Sequence, residues 1–338
     1  MNCWLEFAHA AATAAVFTAA TVLSIPASAA QEAQPAAVTY EVVDLGAGTR
    51  AYAVNAGGVV AGSIRDAQGV ERPAIFRRGS ARIVLNDFEG FFKSINAAGE
   101  AVGNSRLFPF TNSFHWKDGV TTLYPSLNLW DINDASVIVG AEAARAVKIE
   151  NGAVVSLGTL GGDSATATAI DAAGIIYATR NDPTSEAVRI GLDGTVQSLS
   201  PPLPTEGWRS VVAASNRAGN VAGYWSDTNA KYHGIAIVDG VYHQIDGLAA
   251  LTTNATSVND HGTVVGAYGE VIDGTLIFTA FLWKAGTVMN LSSLPEVVAA
   301  GWRKLSYANA INNRGVVVGE GERSDGKVHG FVLIPRRR

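Results

Sequence analysis

Side chains able to do chemistry are sparse in this 338-residue chain, and none stands at the spacing of a known reaction. Five histidines follow the N-terminal segment: His115, His233, His243, His261 and His329. Histidine works as a proton shuttle or metal ligand only with a partner held in reach, and none has one at a diagnostic offset. His-Glu-x-x-His is absent, as are Gly-x-Ser-x-Gly and a calcium loop of alternating acids. The single cysteine, Cys3, lies near the N-terminus, so the rest of the chain has no disulfide, thiol nucleophile or thiolate metal site. Acid pairs such as Asp227 and Glu322 would act on a glycosidic bond only if the fold brought them together. No cofactor or metal is expected.

Arginines and aromatic residues do gather in six polar segments, residues 63–73, 104–112, 179–186, 224–233, 267–278 and 320–329. They carry Arg65, Arg106, Phe108, Phe110, Arg180, Trp225, Tyr232 and Tyr268. Rings beside Arg, Asp and Asn suit sugar or peptide recognition, because rings stack on apolar faces and polar groups read hydroxyls or amides. The same rings would also serve to pack between neighbouring elements. Gly-Trp-Arg occurs twice, in "PPLPTEGWRS" at 201–210 and "LPEVVAAGWRK" at 294–304. Trp208 and Trp302 read as plugs, while Arg209 and Arg303 are placed to hold an anion at a channel mouth. The ligand-binding candidates are Arg65, Arg106, Phe108, Arg180, Trp225, Tyr268, Trp302 and Arg303.

The elements that must position these residues are repeats. The pattern Asn-x-x-Gly-x-x-x-Gly recurs from anchors Asn55, Asn96, Asn133, Asp171, Asn216, Asn259 and Asn312. Successive anchors lie 41, 37, 38, 45, 43 and 53 residues apart, a spacing of the size of one propeller blade. Ser136 replaces the first Gly of the third copy, and Ala178 the last Gly of the fourth. Asn or Asp at the first position of a type I turn bonds its side chain to the backbone ahead, and Gly suits the fourth position. Asn-x-x-Gly therefore predicts a hairpin turn, and the β-branched residues after it predict a strand. The last Gly is expected to close that strand at a bulge or a crowded spot.

A third apolar run follows each hairpin, such as "AIF" at 74–76 and "AFLW" at 280–283. A second Gly turn and a fourth run such as "AVVSL" at 153–157 come next in six copies. The seventh copy lacks a fourth run, while "YEVVDL" at 40–45 stands unpaired before the first. An orphan strand at one end and a vacancy at the other predict closure, which removes open sheet edges. The fold class expected is all-β: a seven-bladed β-propeller of four-stranded blades, with strand 40–45 joining the last blade. In that order the turns between strands one and two, and three and four, share one face. The loops between strands two and three lie on the other face, where binding is expected.

Residues 10–25 form an uncharged apolar run, ended by Pro26 and the small residues Ala27-Ser28-Ala29. This predicts a secretory signal over 1–29, although no Lys or Arg precedes the run. A linker over 30–39, one domain over 40–335 and a basic tail at 336–338 follow, giving an exported, periplasmic or extracellular protein with no membrane span once the signal is removed. Apolar residues at 48% and charged ones at 16% support a large core. A net charge of −5 offers no basic surface for nucleic acid.

"ANAINNRGVVVG" at 308–319 followed by "HGFVL" at 329–333 resembles the HAF-type repeat of bacterial exported proteins. "TAFLW" at 279–283 and "SLGTLGGDSATATAID" at 156–171 are similar to its other segments. The resemblance covers nearly all of 40–335 and implies no particular reaction or ligand. His233 and His329 alone keep the family's histidine, and a structural role is expected for both. The expected function is a non-catalytic, monomeric binding module for a glycan, peptide or envelope partner. The alternative is a polysaccharide lyase or hydrolase with its site at the channel mouth.

Overall fold

Each Asn-x-x-Gly segment folds as a tight turn because one Asn side chain satisfies the turn's amides. Gly58 donates its N–H to the Asn55 carbonyl (3.0 Å) while Val59 donates to Asn55 Oδ1 (3.0 Å). Gly58 has φ +84°, which an L side chain adopts only under strain. The same bonds recur at Asn96, Asn133, Asp171, Asn216, Asn259 and Asn312.

The structure, a computed structural model, describes residues 38–78, 82–105, 112–182, 184–199, 209–227, 229, 231–245 and 251–336. The expected signal and most of the linker, together with Arg106, Phe108, Phe110 and Trp208, lie outside the described residues. The strands form six sheets and pair antiparallel save for one parallel contact, with sequence neighbours in every case but the first strand. Repeats one to four form four sheets of four strands, from Thr49–Val54 through Val196–Ser198. Repeats five and six form one sheet of eight strands, because a single parallel pair, Tyr232 with Thr252, links two four-stranded sets. In the last sheet Thr39–Ala47 pairs antiparallel with Val328–Arg336, the seventh repeat's third strand. The fourth strand missing from the end of the chain is thus supplied from its beginning.

Buried side chains fall into seven clusters, each made by facing surfaces of two neighbouring repeats. One of them joins Val316, Val318 and Val332 of the seventh repeat to Ala51, Val60 and Phe76 of the first. The Asn anchors add a polar relay. Asn55 Nδ2 donates to the Asn96 carbonyl (3.0 Å), Asn96 to Asn133 (3.2 Å) and Asn133 to Asp171 (3.1 Å). Asn259 donates to Asn312 (3.2 Å), and Asn312 to Asn55 (2.9 Å). The relay is interrupted beside the fifth repeat. Asp171 has no amide to donate, and Asn216 Nδ2 is buried without a partner. Asp171 is instead matched to Tyr177, whose hydroxyl donates to its Oδ2 (3.4 Å).

Two expectations change here. The last Gly of each motif does not end its strand. Gly62 is the third residue of Val60–Arg65 and faces Ala51 across a bulge. A Cβ on it would stand 1.9 Å from the Arg50 carbonyl oxygen, so glycine lets the bulged strand approach here, whereas the fourth repeat carries Ala178 at the same register. In the third and sixth repeats the connection between second and third strands is also a tight hairpin rather than an open loop. Ala143 and Asp273 turn with positive φ, and in the sixth repeat the strands Val264–Ile272 and Thr275–Lys284 run nearly to the tip.

Candidate functional site

The bulges decide which side chains meet one shared cavity. In every repeat the first strand carries one extra residue, three positions before the Asn anchor, that has no partner opposite. These residues are Tyr52, Lys93, Trp130, Thr168, Ala213, Thr256 and Asn309, and all seven line one cavity of about 300 Å³. A bulge re-aims a side chain, so one position per repeat supplies the wall's chemistry. The turn residues after the anchors, among them Asp134, Arg217, Asp260 and Asn313, border the same cavity.

Lys93 and Asp131 are neighbouring charged residues of its lining, which also includes Asp134, Asp171, Arg217 and Asp260. Both are half-buried and line the cavity. Burial pulls the Lys93 ammonium below its ordinary pKa, and the Asp131 charge opposes this only in part. Burial likewise pushes the Asp131 carboxyl up, against bonds from Ser94 Oγ (2.6 Å) and the amides of Ile132 (2.9 Å) and Ile170 (3.0 Å). No ion pair or hydrogen bond joins Lys93 to Asp131. The lysine Nζ sits 5.2 Å from the centre of the Trp130 ring, a cation–π contact.

A second polar cluster packs where the first and seventh repeats meet. Arg50 Nε lies 2.8 Å from Glu320, and Tyr52 shares a hydrogen bond with Arg50. Ser63 Oγ donates to Glu71 (2.5 Å). Burial, Glu71 and Glu320 together raise the Tyr52 pKa, so the phenol stays protonated and cannot serve as a base near neutral pH.

The candidates chosen from sequence do not converge. Arg65 reaches the Gly69 carbonyl (3.3 Å) of its own turn. Arg180 is held by Glu186 (2.6 Å) and the Leu160 carbonyl. Trp225 stacks on His233 at 4.2 Å and donates to Gln244 (3.2 Å). Tyr268 is buried with Phe281 and Trp283 between repeats five and six. Trp302 is buried against Phe331 and the Arg323 guanidinium, and is a packing residue. Arg303 is largely exposed and pairs with Glu322 (2.6 Å). Asp227 pairs with His233 and Glu322 with Arg303, so these two acids serve separate partners. The remaining histidines are also spread out: His115 lies 3.1 Å from Glu100, His329 2.8 Å from Asp44, and His243 against Trp283. Among the described residues no three His, Cys, Asp or Glu gather as a metal site, and no helix is long and apolar enough to cross a membrane. The cavity residues were missed because hairpin-face turns look structural. The signal that finds them is the variable position three before each anchor, where Tyr, Lys, Trp, Thr, Ala, Thr and Asn follow one another.

Comparison with known proteins supports the architecture. Residues 209–332 match a family model described only as a protein of unknown function, DUF3466. No curated protein matches the chain. The WD40 β-propeller domain of Doa1 superposes with TM-score 0.50 at 14% identity, covering 88% of this chain and 97% of that one. The fold is a β-propeller with four-stranded blades. Porphyromonas gingivalis dipeptidyl peptidase 4 aligns at TM-score 0.44 and 9% identity, over 86% of this chain and 53% of that one, so this chain matches about half of that protein's length. An Aleuria aurantia lectin variant solved with Fucα1-6GlcNAc aligns at TM-score 0.42 and 9% identity, over 86% and 97% of the two chains.

Proposed function

We propose that this protein is an exported, non-catalytic binding module built as a closed ring of seven HAF-type blades, with its ligand site in the central cavity. The observation that carries the reading is that all seven first strands present one bulged residue to the same space. Ring closure is supported by the pairing of Thr39–Ala47 with Val328–Arg336, by the bond from Asn312 to Asn55 and by the cluster shared by repeats seven and one. Removal of the signal after residue 29 or 30 is read out by N-terminal sequencing of the exported protein; an intact Met1 in the cytosol contradicts export.

The lyase or hydrolase reading is weaker on chemical grounds. Tyr52 is held protonated, the Arg50 charge is matched by Glu320, and each described histidine except His261 lies against a different carboxylate or ring. Glycan-array profiling with a parallel product assay tests the choice, using the wild type and Ala213→Trp, which fills the cavity. Binding lost in Ala213→Trp supports the reading. Turnover without stable binding overturns it. Binding that survives Ala213→Trp but fails in Trp225→Ala moves the site to the opposite face.

A further inference from the structure

Six of the seven clusters between repeats hold at least one aromatic ring: Phe76, Trp116, Tyr124, Tyr177, Trp283 and Trp302 each belong to a different one. The cluster between repeats three and four holds none among the described residues and is built from Val, Leu, Ile and Ala alone. Register fixes the place of the missing ring. Opposite the position five after each anchor, the third strand carries Phe76, Trp116 and Trp283 in repeats one, two and six, but Ile190 in repeat four. Repeats three, five and seven also put an aliphatic residue there, and each gains a ring in the same cluster: Tyr124 with Ile149, Tyr177 with Ile237 and Trp302 with Leu333. Repeat three offers repeat four no such ring.

A crevice of about 350 Å³ opens at that place, with Val137, Leu157, Ile176, Ile190 and Leu192 in its lining. An unfilled apolar space deprives its walls of dispersion contacts, and one of about 150 Å³ is enough to hold benzene. An indole fits here with room for its attachment. Charge stands at the same crevice. Lys148 and Glu150, on the third strand of repeat three, both line it and pair at 2.9 Å. At the register of Lys148, repeats one, five, six and seven carry the apolar Ile75, Ala236, Leu282 and Val332. One ammonium and one carboxylate beside an apolar crevice are complementary to a ligand that carries one of each next to a ring.

We infer that the crevice between repeats three and four binds a free aromatic amino acid, its ring seated where the other clusters hold their own, its carboxylate on Lys148 and its ammonium on Glu150. The crevice borders the cavity at Asn133, Ile170 and Ala172, but the inference does not rest on the cavity being a site. Titration calorimetry with L-tryptophan, L-leucine and N-acetyl-L-tryptophanamide, which lacks both charges, tests it. L-Tryptophan is expected to bind about tenfold more tightly than L-leucine, from the extra apolar area of the ring, and more tightly than the amide. Ile190→Trp restores the ring that repeats two and six carry; it should abolish binding of L-tryptophan and melt no lower than wild type. If that variant does not fold, Leu157→Trp on the opposite wall should block the crevice instead. Lys148→Met with Glu150→Gln should remove the preference for L-tryptophan over its amide while leaving binding of the amide unchanged. Ala213→Trp, which fills the cavity, should leave binding of L-tryptophan intact. Equal binding of leucine overturns the ring seat, and equal binding of the amide overturns the free amino acid. Binding that survives the blocked crevice, or is lost in Ala213→Trp, overturns the location. No binding of any probe overturns the inference and leaves the cavity reading to the glycan array.

Discussion

Replacing Asn312 and Asn216 separately by alanine isolates what the inter-repeat relay contributes. Asn312 Oδ1 accepts from the amides of Arg314 (2.9 Å) and Val316 (3.0 Å), and its Nδ2 donates to the Asn55 carbonyl (2.9 Å). Asn216 Oδ1 accepts equivalent bonds from Ala218 (2.9 Å) and Asn220 (2.9 Å), but its Nδ2 has no partner. The two substitutions therefore share the turn bonds and differ by the bond between repeats. The turn bonds contribute about 1 kcal/mol each, so Asn216→Ala should cost about 2 kcal/mol or less. Asn312→Ala loses one more bond, that to the Asn55 carbonyl, which keeps the Gly58 amide, so the added cost is about 1 kcal/mol. Urea unfolding followed by circular dichroism measures both, at equal slope against denaturant. The expected order is Asn312→Ala less stable than Asn216→Ala by about 1 kcal/mol. Equal losses, or a larger loss at Asn216, would refute the relay as a source of stability.

Three further outcomes follow from the same structure. Gly319→Ala puts a Cβ 1.9 Å from the Tyr307 carbonyl oxygen and 2.7 Å from the Phe331 ring; it should cost about 3 kcal/mol or prevent folding, measured by thermal melting. Trp302→Ala empties a core position and should cost about 3–5 kcal/mol; an unchanged melting temperature with lost ligand affinity would contradict its assignment to packing. Glu100 carries a pH dependence. Burial raises its pKa, but bonds to Lys117 and Ser136 and the charges of Lys117 and His115 outweigh this and hold it below the ordinary 4.5. Its native pKa being depressed, its contribution is full above 4.5 and is lost as pH falls through the native value. The stability gap between wild type and Glu100→Gln should shrink in acid, and a gap that widens there would contradict the pairing.

The repeat architecture was legible because each turn reuses one backbone solution. Asn needs its offset to the two amides it binds, Gly needs its positive φ, and neither depends on distant residues. The orphan segment 40–45 was legible as a strand by counting, since six fourth strands served seven repeats. The site was less legible. Tyr52, Lys93 and Trp130 look like ordinary strand residues until the bulge opposite Gly62, Gly103 or Gly140 turns them toward the cavity. The aromatic segments suggested recognition, yet Trp302 and Tyr268 went to the core because large rings bury more surface than they gain by exposure. The exchange of Asn for Asp at 171 is visible in sequence, but its meaning required seeing Tyr177 reach that carboxylate.

Closure of the ring by the first strand is the claim on which the cavity depends. Val42 lies opposite Leu333, and Val43 opposite Val332, across the two chain ends. With Cys3 replaced by serine, cysteine pairs at 42/333 and 43/332 can be compared under mild oxidation with an out-of-register pair at 43/334. The account predicts intramolecular disulfides for the in-register pairs, independent of protein concentration, and little for the control. No crosslink, or crosslinking only between molecules, would contradict it.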